Sequence, residues 1–270
     1  MSGVRGIVAR LFGWGDRVAP VAAPTEQVDA RVLLINLDRD RERLERATSF
    51  LATQSLAWKR MPGLLGSALP DVVRASIKGG AVVGPGTLGC FLSHLHAWEL
   101  VASGTEGAII LEDDVRIQRD LGECYETARA SGLELLFMNN RMAPPKGSKA
   151  GNGQEILSIE TAVLSRVGEK GHGCGGDGYF ITPSGARSAI DLVTRFGVWE
   201  EPDWFLLFAA TGLSGIPALA DNEIYARALS RAAKYYEVPD PILKGAALRR
   251  PAVRHGGMGS TRLELNRDAS

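Results

Sequence analysis

Apolar positions change their spacing several times along this chain, and each change marks an expected element. The nearly continuous run Val32-Leu33-Leu34-Ile35 predicts a buried strand over residues 31–37. Asp38 follows as a helix-cap candidate, and residues 39–54 bring Leu44, Ala47 and Leu51 onto one face of a charged helix. A strand followed by a helix here opens a βαβ unit. A second extended piece covers 58–61 and stops at Pro62-Gly63. Gly and Pro crowd residues 79–89, which predicts a loop. A helix starting near Leu88 then carries Cys90, Phe91, His94, Leu95 and Trp98 as far as Gly104.

Next, Ala108-Ile109-Ile110-Leu111 runs straight into Glu112-Asp113-Asp114. A short apolar run without alternation predicts a strand buried on both faces, as in a parallel sheet. Beyond it come a helix over 121–130 and a strand over 133–139 that ends in Asn139-Asn140-Arg141. The Pro, Gly, Lys and Ser of 143–153 predict a loop long enough for a lid. Glycine is dense over 171–178, where the backbone must turn sharply or approach a neighbour closely. Tyr179-Phe180-Ile181-Thr182 is a further strand, Pro183 and Ser184 open a helix over 185–196, and another helix begins within 200–204. The last forty residues are Arg-rich and irregular. This pattern is α/β: one domain over 31–230, with a leader, 1–30, before it and an Arg-rich segment, 231–270, after it.

Composition narrows the possible partners. Lys+Arg and Asp+Glu both number 31, so the whole-surface basic excess of a nucleic-acid binder is missing. No apolar run approaches the roughly 20 residues that span a bilayer. Three cysteines, Cys90, Cys124 and Cys174, are odd in number and form no CxxC. That spacing argues against a disulfide framework or a zinc site and fits a reducing, cytoplasmic compartment. In the leader, Val4, Ile7, Val8, Leu11 and Phe12 recur at helical spacing among Arg5, Arg10 and Arg17. Either a short helix lies in a membrane interface there, or the leader is partly disordered and Pro-rich linker follows it.

The three carboxylates after the apolar run repel one another unless a cation or a proton relieves them. A hard divalent ion sharing its shell with a diphosphate would do so. Strand alternation would put Glu112 and Asp114 on one side and Asp113 on the other. The plain alternative is a turn whose acids face water or cap the next helix.

Three motifs in order resemble glycosyltransferase family 25, the lipopolysaccharide and collagen galactosyltransferase-like enzymes. They are Ile35-Asn36-Leu37-Asp38-Arg39 with Arg43, Gly89-Cys90-Phe91-Leu92-Ser93-His94 with Trp98, and Leu111-Glu112-Asp113-Asp114. Gly178-Tyr179-Phe180-Ile181-Thr182-Pro183 and Pro202-Asp203-Trp204 are similar to its downstream pieces, with a faint tail at Gly259-Ser260-Thr261-Arg262. The resemblance implies a GT-A type, Rossmann-like nucleotide-sugar-binding domain, a divalent cation, usually Mn2+, and inverting transfer, commonly of galactose. Two positions depart from the family pattern: Leu65 stands where Asp-Gly is usual, and Thr87 where an acid is usual. Both are expected near the donor.

Roles follow from that resemblance and from the chemistry. Asp114 is the expected direct metal ligand, Glu112 binds the metal or the ribose, and His255 could supply a late ligand. Asn36, Asp113, Ser93, His94 and Tyr179 are expected to line the donor site. Arg39 and Arg43, four apart, would present one helical face to phosphates, or else form a solvated face with Glu42 and Glu45. His94 and His96 point apart on a helix and cannot share an ion. Asp203 is the candidate general base, with N-capping as its alternative. The expected function is metal-dependent transfer of a hexose from a nucleotide-sugar, a UDP-sugar, to a glycan or lipid-linked glycan such as lipopolysaccharide. The setting would be a bacterial cytoplasm, with peripheral contact at the inner membrane face. A catalytically inactive glycan-binding or scaffold protein on the same fold is the second reading, favoured by Leu65 and Thr87. A phosphoryl-transfer enzyme using Asp38 as nucleophile is a third, which the later motifs do not fit.

Overall fold

The computed structural model describes residues 30–80, 82–166, 174–214, 216 and 222–257. The leader, His172 and the tail motif at 259–262 lie outside the described residues, apart from Ala30.

The central sheet has seven strands in the order β2-β1-β3-β7-β5-β8-β6. These are β1 (Val32–Asn36), β2 (Trp58–Pro62), β3 (Ala108–Glu112), β5 (Leu135–Phe137), β6 (Ile156–Ser158), β7 (Gly178–Ile181) and β8 (Gly245–Leu248). A two-stranded ladder of β4 (Val115–Ile117) and β9 (Val253–His255) stands beside it. β1 is parallel to β2 and β3, as the βαβ opening predicted. β7 runs antiparallel between β3 and β5, so the sheet is mixed. Because of that reversal, the carboxyl ends of β1, β3 and β5 meet the amino end of β7 at one edge of the sheet.

Helices cover both faces, and strand alternation sorts the core accordingly. Leu33, Ile35, Ile110, Phe137 and Tyr179 pack on one face against α3 (Pro85–Ser103), α6 (Pro183–Phe196) and α7 (Pro202–Thr211). Val32, Leu34, Ile109, Leu111 and Phe180 pack on the other against α1 (Arg41–Leu51) and α4 (Leu121–Ala130). Short helices α2 (Asp71–Ser76) and α5 (Ile159–Leu164) and the later α8 (Glu223–Tyr235) complete the described helices. None of them is long and apolar enough to cross a membrane.

Several expected boundaries move, each for a local reason. α3 begins at Pro85, inside the predicted loop, because proline at a first helical position has no N–H to leave unpaired. α1 begins at Arg41, and Asp40 rather than Asp38 precedes it. The C-terminal stretch read as irregular supplies β8 and β9. Its strand Gly245-Ala-Ala-Leu lacks the branched residues that advertise a strand, yet a Cβ on Gly245 would stand 2.6 Å from the Ala210 Cβ, so α7 packs closely there. The loop over 143–153 is tied down by Arg249, whose guanidinium donates to the Ala150 and Ser148 carbonyls at 3.2 and 3.3 Å.

One backbone contact fixes the segment after β2. A Cβ on Gly66 would lie 1.8 Å from the Pro85 carbonyl oxygen, and one on Gly89 would lie 2.4 Å from that of Leu64. Ser93 closes the clamp by accepting the Leu64 N–H at 2.8 Å and donating to the Gly89 carbonyl at 2.7 Å. We expect Gly89→Ala to lower unfolding free energy by more than about 2 kcal/mol, measured by urea denaturation, because its obstacle is backbone and cannot swing aside.

Candidate functional site

A cavity of about 260 Å³ opens at the edge where the strand ends converge. Asn36, Leu37, Asp40 and Arg43 line it from the β1–α1 turn, and Cys90, Ser93 and His94 from α3. Glu112, Asp113 and Asp114 enter from the end of β3, Arg141 from beyond β5, Gly176 from before β7, Asp203 from α7 and His255 from β9. Most candidates read from sequence are therefore brought together.

The three acids do not divide as strand alternation suggested. β3 ends at Glu112 and the chain turns, so Asp113 and Asp114 both reach Arg43 while Glu112 reaches His94. Arg43 Nε lies 3.1 Å from Asp113 Oδ1, and Nη2 lies 2.7 Å from Asp114 Oδ2. Its side chain is 13% exposed, so it is no solvated face. Arg39 lies before the helix, is 46% exposed beside Asp40, and does not line the cavity. The proposed shared face for the two arginines fails because α1 has not yet begun at Arg39.

Asn36 acts as a pin rather than an open ligand. Its amide donates to Asp113 Oδ2 at 2.7 Å and to the Asp40 carbonyl at 3.0 Å, and its Oδ1 accepts from Arg60 Nε at 2.9 Å. Burial pushes the Asp113 carboxyl up to about 6, although Arg43 and the Asn36 amide pull the other way. His255, brought by the β4–β9 ladder, places Nδ1 3.5 Å from Asp114 Oδ2, and that contact raises the imidazole above its ordinary range.

Tyr179 does not face the cavity. It is fully buried, and its hydroxyl lies 2.8 Å from both Trp98 Nε1 and His94 Nδ1. Trp98 can only donate, so the tyrosine oxygen accepts from it, which leaves the tyrosine hydrogen available to an unprotonated His94 Nδ1. In that tautomer the histidine hydrogen sits on Nε2, facing Glu112 Oε1 at 3.3 Å. Ser93 borders the cavity, but both of its hydroxyl bonds serve the backbone clamp. His96 is half-buried and apart from this network, and burial lowers its imidazole.

Asp203 is 4% exposed and occupies the second position of α7, where Glu201 is the cap, so the N-cap alternative does not hold. Its Oδ1 is buried without a hydrogen-bond partner among the described residues. Asp114 Oδ1 is in the same state. With the Glu112 carboxylate and the His255 ring nearby, an oxygen-rich donor set with an unsatisfied carboxylate oxygen fits a hard divalent cation.

Sequence reading missed Arg141 and Asp177. Asp177 is fully buried and pairs with Arg141; burial raises its carboxyl, opposed by that guanidinium. Burial works against the Arg141 charge, but Asp177 and Asp203 outweigh it and hold it protonated. The available signals were a strand ending in Asn-Asn-Arg and a single acid within a run of glycines. Cys90 was also missed: it is half-buried on the cavity wall, not hidden in the core. Glycine density did report a close approach, since a Cβ on Gly176 would stand 3.2 Å from Glu112 Oε1 and 3.6 Å from the Asp203 Cβ. Leu65 and Thr87 do not line this cavity, though Leu64 and Gly86 do. Thr87 instead borders a neighbouring cavity with Glu200 and Arg231.

The family model of glycosyltransferase family 25 (LPS biosynthesis protein) matches residues 29–203. Among similar proteins, procollagen galactosyltransferase 1 of Danio rerio is 35% identical over 99 residues, 32% of this chain and 16% of that protein. A glycosyltransferase 25 family member of Anopheles gambiae is 26% identical over 178 residues, 60% of this chain and 28% of that protein. One from Aedes aegypti is 29% identical over 112 residues, 39% of this chain and 17% of its length. The chain thus spans less than a third of the length of these relatives.

The raised Asp113 carboxyl sets a pH dependence for the metal-free protein. A folded-state value of about 6 against an unfolded 3.8 means that the folded state holds the proton more tightly. Its stabilising contribution is complete below the unfolded value and is lost as pH rises through about 6. Urea unfolding from pH 4 to pH 7 should show this loss, and Asp113→Asn should flatten the slope.

Proposed function

The chain belongs to glycosyltransferase family 25, and we propose that it transfers a hexose, galactose from a UDP-sugar, to a hydroxyl of a cell-envelope glycan such as lipopolysaccharide, inverting the anomeric carbon. The observation that carries this reading is the convergence of two kinds of group on one cavity. The acids at the end of β3 line it, and so does Asp203, whose Oδ1 is buried without a hydrogen-bond partner among the described residues.

In this reading Asp114, with Glu112 and His255, holds a divalent cation, Mn2+, which when bound supplies Lewis-acid neutralisation of the leaving diphosphate. Arg43 and Arg141 add fixed positive charge to the cavity lining, which would offset the negative charge that develops as the glycosidic bond to phosphate breaks. Asp203 accepts the acceptor hydroxyl's proton as the new bond to the anomeric carbon forms. Gly176, lacking a side chain, leaves room for the sugar between Glu112 and Asp203. Tyr179 and Trp98 keep His94 turned to Glu112, so the carboxylate is oriented before a ligand arrives. Residues 31–230 would form the transferase domain, acting in a bacterial cytoplasm with peripheral contact at the inner membrane face.

The inactive-scaffold reading rested on Leu65 and Thr87, and neither borders the cavity. Donor binding and chemistry can be tested separately. Thermal shift against UDP-, GDP-, CMP- and ADP-sugars should show one UDP-sugar raising the melting point only with Mn2+, and Asp114→Ala should abolish that rise. Asp203→Asn should keep the donor-induced shift while transfer falls by about 10²–10⁴-fold. A protein that no nucleotide-sugar stabilises, or an Asp203→Asn variant with full transfer rate, would refute the assignment.

A further inference from the structure

Cys90 and His94 are four apart on α3, so one helical face carries both toward the cavity. Glu112 arrives opposite them from the end of β3. The Cys90 sulfur, a His94 ring nitrogen and a Glu112 carboxylate oxygen all lie within 4.8 Å of one another. His94 Nε2 and Glu112 Oε1 are 3.3 Å apart. Two ligands of a tetrahedral zinc ion, at bond lengths near 2.0–2.1 Å, stand about 3.3 Å apart, and nitrogen to sulfur is about 3.6 Å. The nitrogen–oxygen edge is therefore already set, and closing the sulfur edge takes a movement of about 1 Å, within reach of a half-buried cysteine rotating about its Cα–Cβ bond.

We propose that Cys90, His94 and Glu112 form a three-ligand site for a thiophilic divalent cation of the zinc class, with the fourth position open to the cavity. Sulfur, imidazole and one carboxylate select such an ion, whereas the oxygen-rich set around Asp114 selects a harder one. The cysteine spacing alone predicted no zinc site, because no two of the three cysteines form a CxxC pair. The pair here is Cys-x-x-x-His, completed by a carboxylate distant in sequence. When the ion binds, the Cys90 thiol releases its proton to solvent and the sulfur becomes a thiolate ligand. His94 takes its other tautomer, so that Nε2 binds the ion and Nδ1–H donates to the Tyr179 oxygen, the outer-shell arrangement usual for a ligating histidine. Tyr179 O–H gives up its present acceptor in this exchange, a cost that the metal–nitrogen bond must exceed. If the cavity takes a nucleotide-sugar as proposed above, an ion held here withdraws Glu112 from the cation site of Asp114 and His255 that the donor diphosphate needs, and zinc inhibits competitively with the donor.

Cobalt titration of the metal-free full chain, without donor, tests the site by itself. The wild type should take up one Co2+ per chain with a thiolate-to-metal band in the near ultraviolet, and Zn2+ should displace it. Cys90→Ser should lose the band, Asp114→Ala should keep it, and Glu112→Gln should keep it while weakening Co2+ binding at least tenfold. A wild type without the band, or a Cys90→Ser variant that retains it through Cys124 or Cys174, overturns the proposal. A band that behaves as expected while zinc fails to compete with donor upholds the site and overturns the assignment of Glu112 to the cation site of Asp114.

Discussion

Arg43 lies against Asp113 and Asp114 with a side chain only 13% exposed, and without it these two mostly buried carboxylates would keep, among the described residues, only Asn36 and His255 to relieve them. Like charges in such a place are tolerated only when paired, protonated or bound to a cation. The neighbouring structure answers that demand. The β1–α1 turn lets α1 begin at Arg41, which aims Arg43 inward. Asn36 holds both that turn and Asp113, and Arg60 holds Asn36. The β4–β9 ladder brings His255 to Asp114 from 141 positions along the chain.

Much of this framework was legible in the sequence, for identifiable reasons. Val32 to Ile35 and Ala108 to Leu111 are buried on both faces, and a continuous apolar run is what such strands leave in a sequence. The helix at 121–130 and the proline that opens α6 follow local rules that tertiary contacts did not override. β8 was hidden because Gly245 answers to the closeness of α7 and not to strand propensity, and Ala246 and Ala247 give no branched side chain to mark the strand. The division of the acids was misread because alternation holds only while the strand lasts, and β3 ends at Glu112. Arg141 and Asp177 escaped notice because their partnership joins two loops, and pairing across such distance leaves no periodic trace.

The segment from Gly89 to His94 shows how one helix turn can serve two surfaces. Gly89 and Ser93 face the chain after β2 and hold it by backbone contact and by hydroxyl bonds. Cys90 and His94, each one residue further on, face the cavity. A four-residue repeat on a helix keeps each pair on its own side. The spacing Gly-Cys-x-x-Ser-His is thus the imprint of a structural stripe beside a chemical one.

The clamp between Gly66, Pro85 and Gly89 also divides the cavity mechanically. Backbone set against backbone has no rotamer to yield, so Gly63, Leu64 and the first turns of α3 must travel together as one stiff wall. If the cleft narrows around a ligand, the displacement falls to the rest of its lining, which includes Gly176 and the start of α7 at Pro202 and Asp203. The molecule would then close like a vice with one fixed jaw, and the jaw that moves would carry the Asp203 carboxylate.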